Sequence, residues 1–210
     1  MRPGIAEKTT VGSRPRVEGR REDEILDATL GMLLEAGYDR LTMDAVAQRA
    51  KASKATLYRR WSAKATLVMD ALLRSKRSPD LMDLDTGNLR DDLVGTFCGP
   101  GGLTDSDNSK LLAAVLTAVH TDDEFAAEFH ERFLRPKLEV TRRIYQRARD
   151  RGELLEGVDV GLLGPALPGI LLHRALLLGA HIDEATVASV VDQIIVPAAT
   201  GRPYSPQGKP

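Results

Sequence analysis

The 210-residue chain predicts an all-α fold, a small N-terminal helix-turn-helix domain followed by a larger helical domain. Three observations carry that expectation. Apolar residues recur at spacings of three and four along most of the chain, and no stretch alternates with the period of two that a half-buried strand requires. Short-chain hydroxyl residues punctuate the N-terminal third, with Thr42, Ser53 and Ser62 each standing just ahead of a short apolar run. Charge is also divided unevenly. Residues 1–64 hold 13 Lys and Arg against 9 Asp and Glu, a net of +4, and the other 146 residues carry −5, so the overall −1 hides a basic segment.

Taken in order, residues 1–18 combine Pro3, Gly4, Gly12 and Pro15 with scattered Arg, have no apolar period, and predict a flexible arm. A first helix is expected from about Glu18 to Ala36. Ile25, Thr29 and Met32 form one stripe and Leu26, Leu30 and Leu33 the next, the wide apolar face of a packed helix. Gly37 stands where a left-handed stop residue belongs. Thr42 then caps a short helix, with Leu41 and Val46 spaced as a hydrophobic staple and Ala47 and Ala50 small enough for a close crossing. Lys51 and Ala52 turn the chain, and Ser53 caps a helix that carries Leu57 inward. Trp61 and Ser62 close it and cap a fourth helix running to about Lys76, with Leu67, Val68, Ala71 and Leu72 apolar.

The domain boundary is expected after residue 64, with the second domain over 65–200. Helices are expected there near 88–98, 108–120, 122–151, 159–179 and 183–199, with a mobile loop over 99–108 and a disordered Pro-rich tail over 201–210. Pro165 and Pro168 fall inside one of these helices and predict a kink or an interrupted first turn. Arg142, Arg143, Arg147, Arg149 and Arg151 read as a solvated helix face.

Several function classes find no support. Cys98 is the only cysteine, so no intramolecular disulfide forms, which fits a reducing cytoplasm. No apolar run approaches the ~18 residues of a membrane span, and no segment resembles a signal peptide. The Gly99–Gly102 stretch lacks the Gly-Lys-Ser/Thr ending of a phosphate-binding loop. No nucleophile elbow is present, the four His lack metal-ligand spacing, and Cys98 has no catalytic partner in the sequence. The expectation is a protein that is not an enzyme and needs neither metal nor cofactor.

The basic residues are concentrated: residues 40–64 hold seven Lys and Arg and one acid, Asp44. Lys54 and Lys64 fall in the first turns of two expected helices, where the helix dipole disfavours a cation by a few tenths to ~1 kcal/mol. A phosphate docked against each N-terminus removes the conflict, and Thr42 and Ser53 place hydroxyls in the equivalent positions. Thr42, Ala47, Ala50, Ser53, Thr56, Leu57, Tyr58, Trp61, Ser62 and Lys64 together reproduce a spaced pattern, and over about 20–64 the chain resembles the DNA-binding domain of the TetR/AcrR family of bacterial transcriptional regulators. Three positions depart from that pattern: Lys51 stands for the usual turn Gly, Arg60 for His, and Ala65 for Glu.

The resemblance implies that Thr42, Tyr58 and Lys64 contact phosphates and that Lys54, Ala55 and Thr56 approach base edges, where Lys54 can reach guanine O6 and N7. Ser53 is a further candidate, and Lys51, Arg59, Arg60 and Arg49 are weaker ones. Tyr58 has an alternative, packing against the first helix. The resemblance also implies that the second domain binds a small-molecule ligand and forms a homodimer. Phe125, Phe129 and Phe133 make an i, i+4, i+8 stripe that reads either as core or as pocket wall. His120 and His173 lie among apolar residues, either inside a pocket or as satisfied core groups. With Phe97 these give the candidate ligand set Phe97, His120, Phe129, Phe133 and His173.

The all-round apolar segment 159–179 and the stripe Val187, Val190, Val191, Ile194 and Ile195 are expected to pair with their copies in a four-helix dimer interface. The implied function is a repressor released from a pseudo-palindromic double-stranded operator by its ligand. The alternative is an effector-independent architectural or adaptor dimer whose second half only dimerises.

Overall fold

A computed structural model describes residues 15–75, 82–99, 102–104 and 106–201, and all regular structure among them is helical. Of the tail expected over 201–210 and the arm expected over 1–18, residues 202–210 and 1–14 lie outside the described residues. Residues 15–18, assigned to the arm from sequence, instead open the first helix, α1 (Pro15–Ala36). Its Ile25, Leu26, Thr29 and Leu33 are buried. Gly37 follows at φ 78°, the left-handed stop the sequence predicts.

The helix-turn-helix comprises α2 (Met43–Arg49) and α3 (Lys54–Arg60). Thr42 caps α2 by accepting from the Ala45 N–H at 3.2 Å, and Ser53 caps α3 by accepting from the Thr56 N–H at 3.1 Å. Leu41 and Val46 are buried beside the first cap, as a staple requires. Helix α4 (Lys64–Ser75) follows. Its first helical bond runs from the Leu67 N–H to the Ala63 carbonyl at 3.3 Å, so Ala63 occupies the cap position, one residue beyond the expected Ser62.

Packing does not divide at residue 64. Leu67, Val68, Met69, Ala71 and Leu72 of α4 are buried in the same core as Ile25, Leu33, Val46 and Leu57. That core continues into α6 (Ser106–Thr121) and α7 (Asp123–Phe129) through Leu111, Leu112, Val115, Phe125 and Phe129. An α4 with apolar residues on adjoining faces serves both halves, and so the two halves share one continuous hydrophobic contact.

The second core is built from α5 (Leu89–Cys98), α8 (Arg135–Asp150), α9 (Val160–Leu176) and α10 (Glu184–Val190). A π turn (His130–Leu134) joins α7 to α8, and a second (Val191–Ile195) joins α10 to α11 (Val196–Thr200). Pro165 and Pro168 stand inside α9, which runs from Val160 to Leu176 without the interrupted first turn that was one of the two expected outcomes.

The loop expected over 99–108 ends earlier than predicted. The Leu103 N–H bonds the Phe97 carbonyl at 2.9 Å, folding the chain back on the end of α5, and 106–108 are already helical. A Cβ at Gly102 would lie 2.1 Å from the Phe97 carbonyl oxygen, so only glycine fits this return.

The arginines of α8 are not a simple solvated face. Arg143 and Arg147 both bond Asp83, at 2.6 and 2.8 Å, and Arg147 reaches the Leu84 carbonyl at 2.6 Å. Arg151 bonds Asp92, which is fully buried and also accepts from the Thr86 hydroxyl at 2.7 Å. Positions 143, 147 and 151 form one ladder at i, i+4, i+8, and it straps the segment ahead of α5 to the helix. A buried carboxylate requires such partners.

Candidate nucleic-acid interface and ligand cavity

Lys51, Ser53, Lys54, Ala55, Tyr58, Arg59 and Arg60 are exposed along α3 and the turn before it, with Thr56 half-buried, and Thr42 is exposed at the start of α2. Leu57 alone points fully inward, which fixes the rotation of α3 and leaves the side of Lys54, Ala55, Tyr58 and Arg59 outward. Tyr58 is 53% exposed, so it is not buried against α1 and its ring is accessible on the outer side of α3.

The turn answers the question posed by Lys51. Its φ is 52°, so a lysine occupies the left-handed conformation that glycine ordinarily supplies. The Ala52 N–H bonds the Ala47 carbonyl at 2.8 Å and the Lys51 N–H bonds the Gln48 carbonyl at 3.1 Å, the paired bonds of a Schellman stop. A guanidinium N–H of Arg21, on α1, donates to the Lys51 carbonyl and pins the turn.

Two lysines that the sequence left to phosphate have protein partners. Lys54 Nζ donates to Asp44 Oδ2 at 2.7 Å, and this carboxylate raises the lysine's pKa. Lys64 Nζ lies 3.8 Å from the centre of the Tyr38 ring and 3.4 Å from the Tyr38 carbonyl. Each first-turn cation is thus compensated within the chain, and phosphate is not needed to explain its position. Lys54 remains exposed and free to swing to a base, whereas Lys64 is half-buried.

The other arginines are divided between surface and scaffold. Arg49 forms two 2.5 Å bonds with Glu35 and Arg60 bonds Glu22 at 3.1 Å, tying α2 and α3 to α1. Their hydrogen bonds to these carboxylates raise both guanidinium pKa values. Lys51 and Arg59, like Arg40 ahead of α2, are exposed and form no ion pair among the described residues, which leaves them available to a polyanion. Trp61 closes α3, is buried, and donates its indole N–H to Asp70 at 2.7 Å.

A cavity of about 190 Å³ lies in the second half, between α6, the first π turn, α8 and α9. Phe97, Phe129 and Phe133 line it, as expected, with the Phe129 and Phe133 rings stacked at 4.8 Å. His120 and His173 do not; both are exposed, because each falls on the outer side of its helix. Leu112, Leu138, Leu172 and Pro168 are among the other residues of the wall, and no spacing marks which leucines among so many face it. The Cys98 thiol is half-buried, and burial pushes its pKa up to about 11, so it is no nucleophile at neutral pH.

The expected dimer stripe is corrected by burial. Val187, Val190, Val191 and Ile195 are buried in the chain's own second core, leaving Ile194 exposed. Leu162, Leu177 and Leu178 are exposed on or just beyond α9, at 76%, 75% and 63%. These, and not the valines, form the apolar surface left on the two helices.

An exposed capped helix held across a stapled partner by a Schellman turn defines a DNA-binding helix-turn-helix protein. The family model for bacterial regulatory proteins of the tetR family matches residues 25–71, and that for a tetracyclin repressor-like C-terminal domain matches 83–194. An HTH-type transcriptional regulator of Mycobacterium tuberculosis is 38% identical over 183 residues, 86% of this chain and 88% of that protein. The DNA-binding transcriptional repressor TetR of Mycobacteroides abscessus is 34% identical over 176 residues, 84% and 92% of the two chains. Among solved structures, a TetR family transcription regulator superposes with TM-score 0.61 at 26% identity, covering 84% of this chain and 97% of that one. The chain belongs to the TetR family and is a DNA-binding transcriptional regulator. Among the described residues no helix is long and apolar enough to cross a membrane.

Proposed function

We propose that the protein is a cytoplasmic homodimeric repressor that a small molecule releases from a pseudo-palindromic operator. Each subunit would place α3 in one of two successive major grooves, with Lys54, Ala55 and Thr56 toward base edges and Thr42, Lys51, Tyr58 and Arg59 toward phosphates. Lys64 would act from α4 chiefly by positioning, since it is held against Tyr38. The role is one of binding, with no catalysis.

The single observation that carries ligand control is that cavity and recognition helix are joined through α4. Rings follow one another from the cavity outward, Phe133 stacked on Phe129 at 4.8 Å, Phe129 on Phe125 at 6.2 Å and Phe125 tilted against Tyr38 at 4.8 Å, ending under Lys64 at the start of α4. In parallel, Arg132 of the π turn bonds Asp70 of α4 at 2.5 Å, and Asp70 holds Trp61 at the end of α3. A molecule that separates or rotates Phe129 and Phe133 acts on both chains at once. It releases DNA only to the extent that it binds one arrangement better than the other, and tenfold weaker operator binding requires ~1.4 kcal/mol of such preference. The effector-independent alternative gives the cavity no purpose.

The exposed Leu162, Leu177, Leu178 and Ile194 support dimerisation through α9 and the α10–α11 helix. The test is fluorescence anisotropy with duplexes from the promoter of the chain's own gene and its divergent neighbour. Binding is expected with a stoichiometry of two chains per site and a steep salt dependence. No binding to any neighbouring promoter at low salt would sink the proposal.

A further inference from the structure

We infer that the cavity selects a compact, uncharged, ring-containing molecule carrying one hydrogen-bond donor, of the phenol or N–H heteroaromatic class. This deepens the ligand-release reading above and rests on it. Size comes first. A dry engineered cavity of about 150 Å³ takes benzene, so the 190 Å³ here corresponds to a molecule on the order of six to ten non-hydrogen atoms. The wall is leucine, proline and the stacked pair Phe129 and Phe133, which offers ring faces and edges to a flat guest.

The polar atoms decide the rest. Pro168 stands inside α9 and has no N–H to give to the carbonyl of Gly164 four residues back, and both residues line the cavity. Thr141 also lines it, and its hydroxyl proton is spent on the Lys137 carbonyl at 3.1 Å, leaving oxygen lone pairs. Both groups are acceptors, so a guest that donates is favoured over an ether or ketone of the same shape. Lys137 is the one charged residue in the lining, and its ammonium is already engaged 5.0 Å from the centre of the Phe133 ring. A carboxylate would have to lose its hydration against a nearly all-carbon wall.

Calorimetric titration of the full-length protein with 4-ethylphenol, ethylbenzene, 4-ethylanisole and 4-ethylbenzoate tests this. 4-Ethylphenol is expected to bind about threefold to tenfold tighter than ethylbenzene or 4-ethylanisole, the range of one net hydrogen bond, and 4-ethylbenzoate weakest. Pro168→Ala returns an N–H to the Gly164 carbonyl, and the advantage of 4-ethylphenol over ethylbenzene should shrink toward one while ethylbenzene still binds. Leu116→Trp, at a partly exposed wall position, should weaken all four. Tightest binding of 4-ethylbenzoate, a preference untouched by Pro168→Ala, or no binding of any probe would overturn the inference. Operator anisotropy with 4-ethylphenol separates the two ideas. Binding without release leaves the ligand class standing and removes ligand control, whereas release by charged compounds alone does the reverse.

Discussion

Replacing Lys51 by Gly separates two roles that one residue performs. At φ 52° the lysine occupies a conformation that costs an L-residue ~1–2 kcal/mol. Glycine removes that cost but loses ~0.5–1 kcal/mol more to the freedom of the unfolded chain. The net expectation is a gain of about 0.5–1 kcal/mol, or ~1–4 °C in melting temperature for a protein of this size. The Arg21 contact survives, since it is made to the backbone carbonyl. DNA binding should move the other way. If Lys51 meets a phosphate, each subunit loses about 0.9 from the slope of log K against log salt. For a dimer this amounts to roughly tenfold between about 50 and 200 mM salt. Thermal unfolding and salt-dependent anisotropy on one preparation read both effects. A less stable variant would refute the strain argument, and an unchanged salt slope would refute the phosphate contact.

Four further outcomes follow from the geometry. Asp44→Asn frees Lys54 and removes the only carboxylate within 40–64, so affinity for a scrambled duplex should rise about threefold to tenfold, narrowing the operator-to-scrambled ratio; a widened ratio would contradict it. Leu162→Glu with Leu177→Glu should yield monomers in sedimentation velocity without loss of helical circular dichroism, and dimers of unchanged stability would exclude this surface. Arg132→Met leaves Asp70 with Trp61 alone, and the ratio of operator affinities without and with a releasing ligand should fall about threefold to tenfold; an unaltered ratio would clear the π turn of a coupling role. Asp122→Ala removes the α7 cap and should cost ~1 kcal/mol near neutral pH. The Phe125 N–H and then the Tyr38 hydroxyl hold the Asp122 carboxyl below the usual carboxylate range. Its contribution is therefore complete above the unfolded value of about 4 and is lost as pH falls through the lower folded value. The stability gap between wild type and variant should close on acidification, and a gap that widens would reverse the assignment.

What was legible in the sequence was local. Thr42 and Ser53 cap helices through atoms two or three residues away, and Gly37 stops one by its own backbone, so pattern reading finds them without the rest of the chain. Phe129 and Phe133 were legible because positions four apart on a helix share a face. His120 and His173 were not, because apolar neighbours in sequence surround a helical residue on all sides while only one side is covered. The valines of α10 failed for a related reason. A stripe announces that a face is buried, but not whether the cover is the chain's own α5 and α9 or a second subunit.

The two lysines show where reasoning from one helix at a time breaks down. A cation at the first position of α3 and of α4 conflicts with each helix taken alone, and phosphate is one way to resolve it. The fold supplies another, because the turn brings Asp44 of α2 to Lys54 and the α1–α2 connection brings Tyr38 under Lys64. The two solutions differ in what they leave available. The Asp44–Lys54 pair is exposed, so its Coulomb gain is small and DNA can displace it at little cost. Lys64 has an aromatic face and a carbonyl in a half-buried site, and displacing it also disturbs the ring stack that reaches the cavity. Under the proposed function Lys54 would therefore read sequence, and Lys64 would report the state of the second domain at the start of α4. Trp61, tied through Asp70 to Arg132, would do the same at the end of α3. The recognition helix is thereby tied at both of its flanks to groups that contact the cavity wall, and under the proposed ligand control a change among Phe129 and Phe133 would move α3 as a unit.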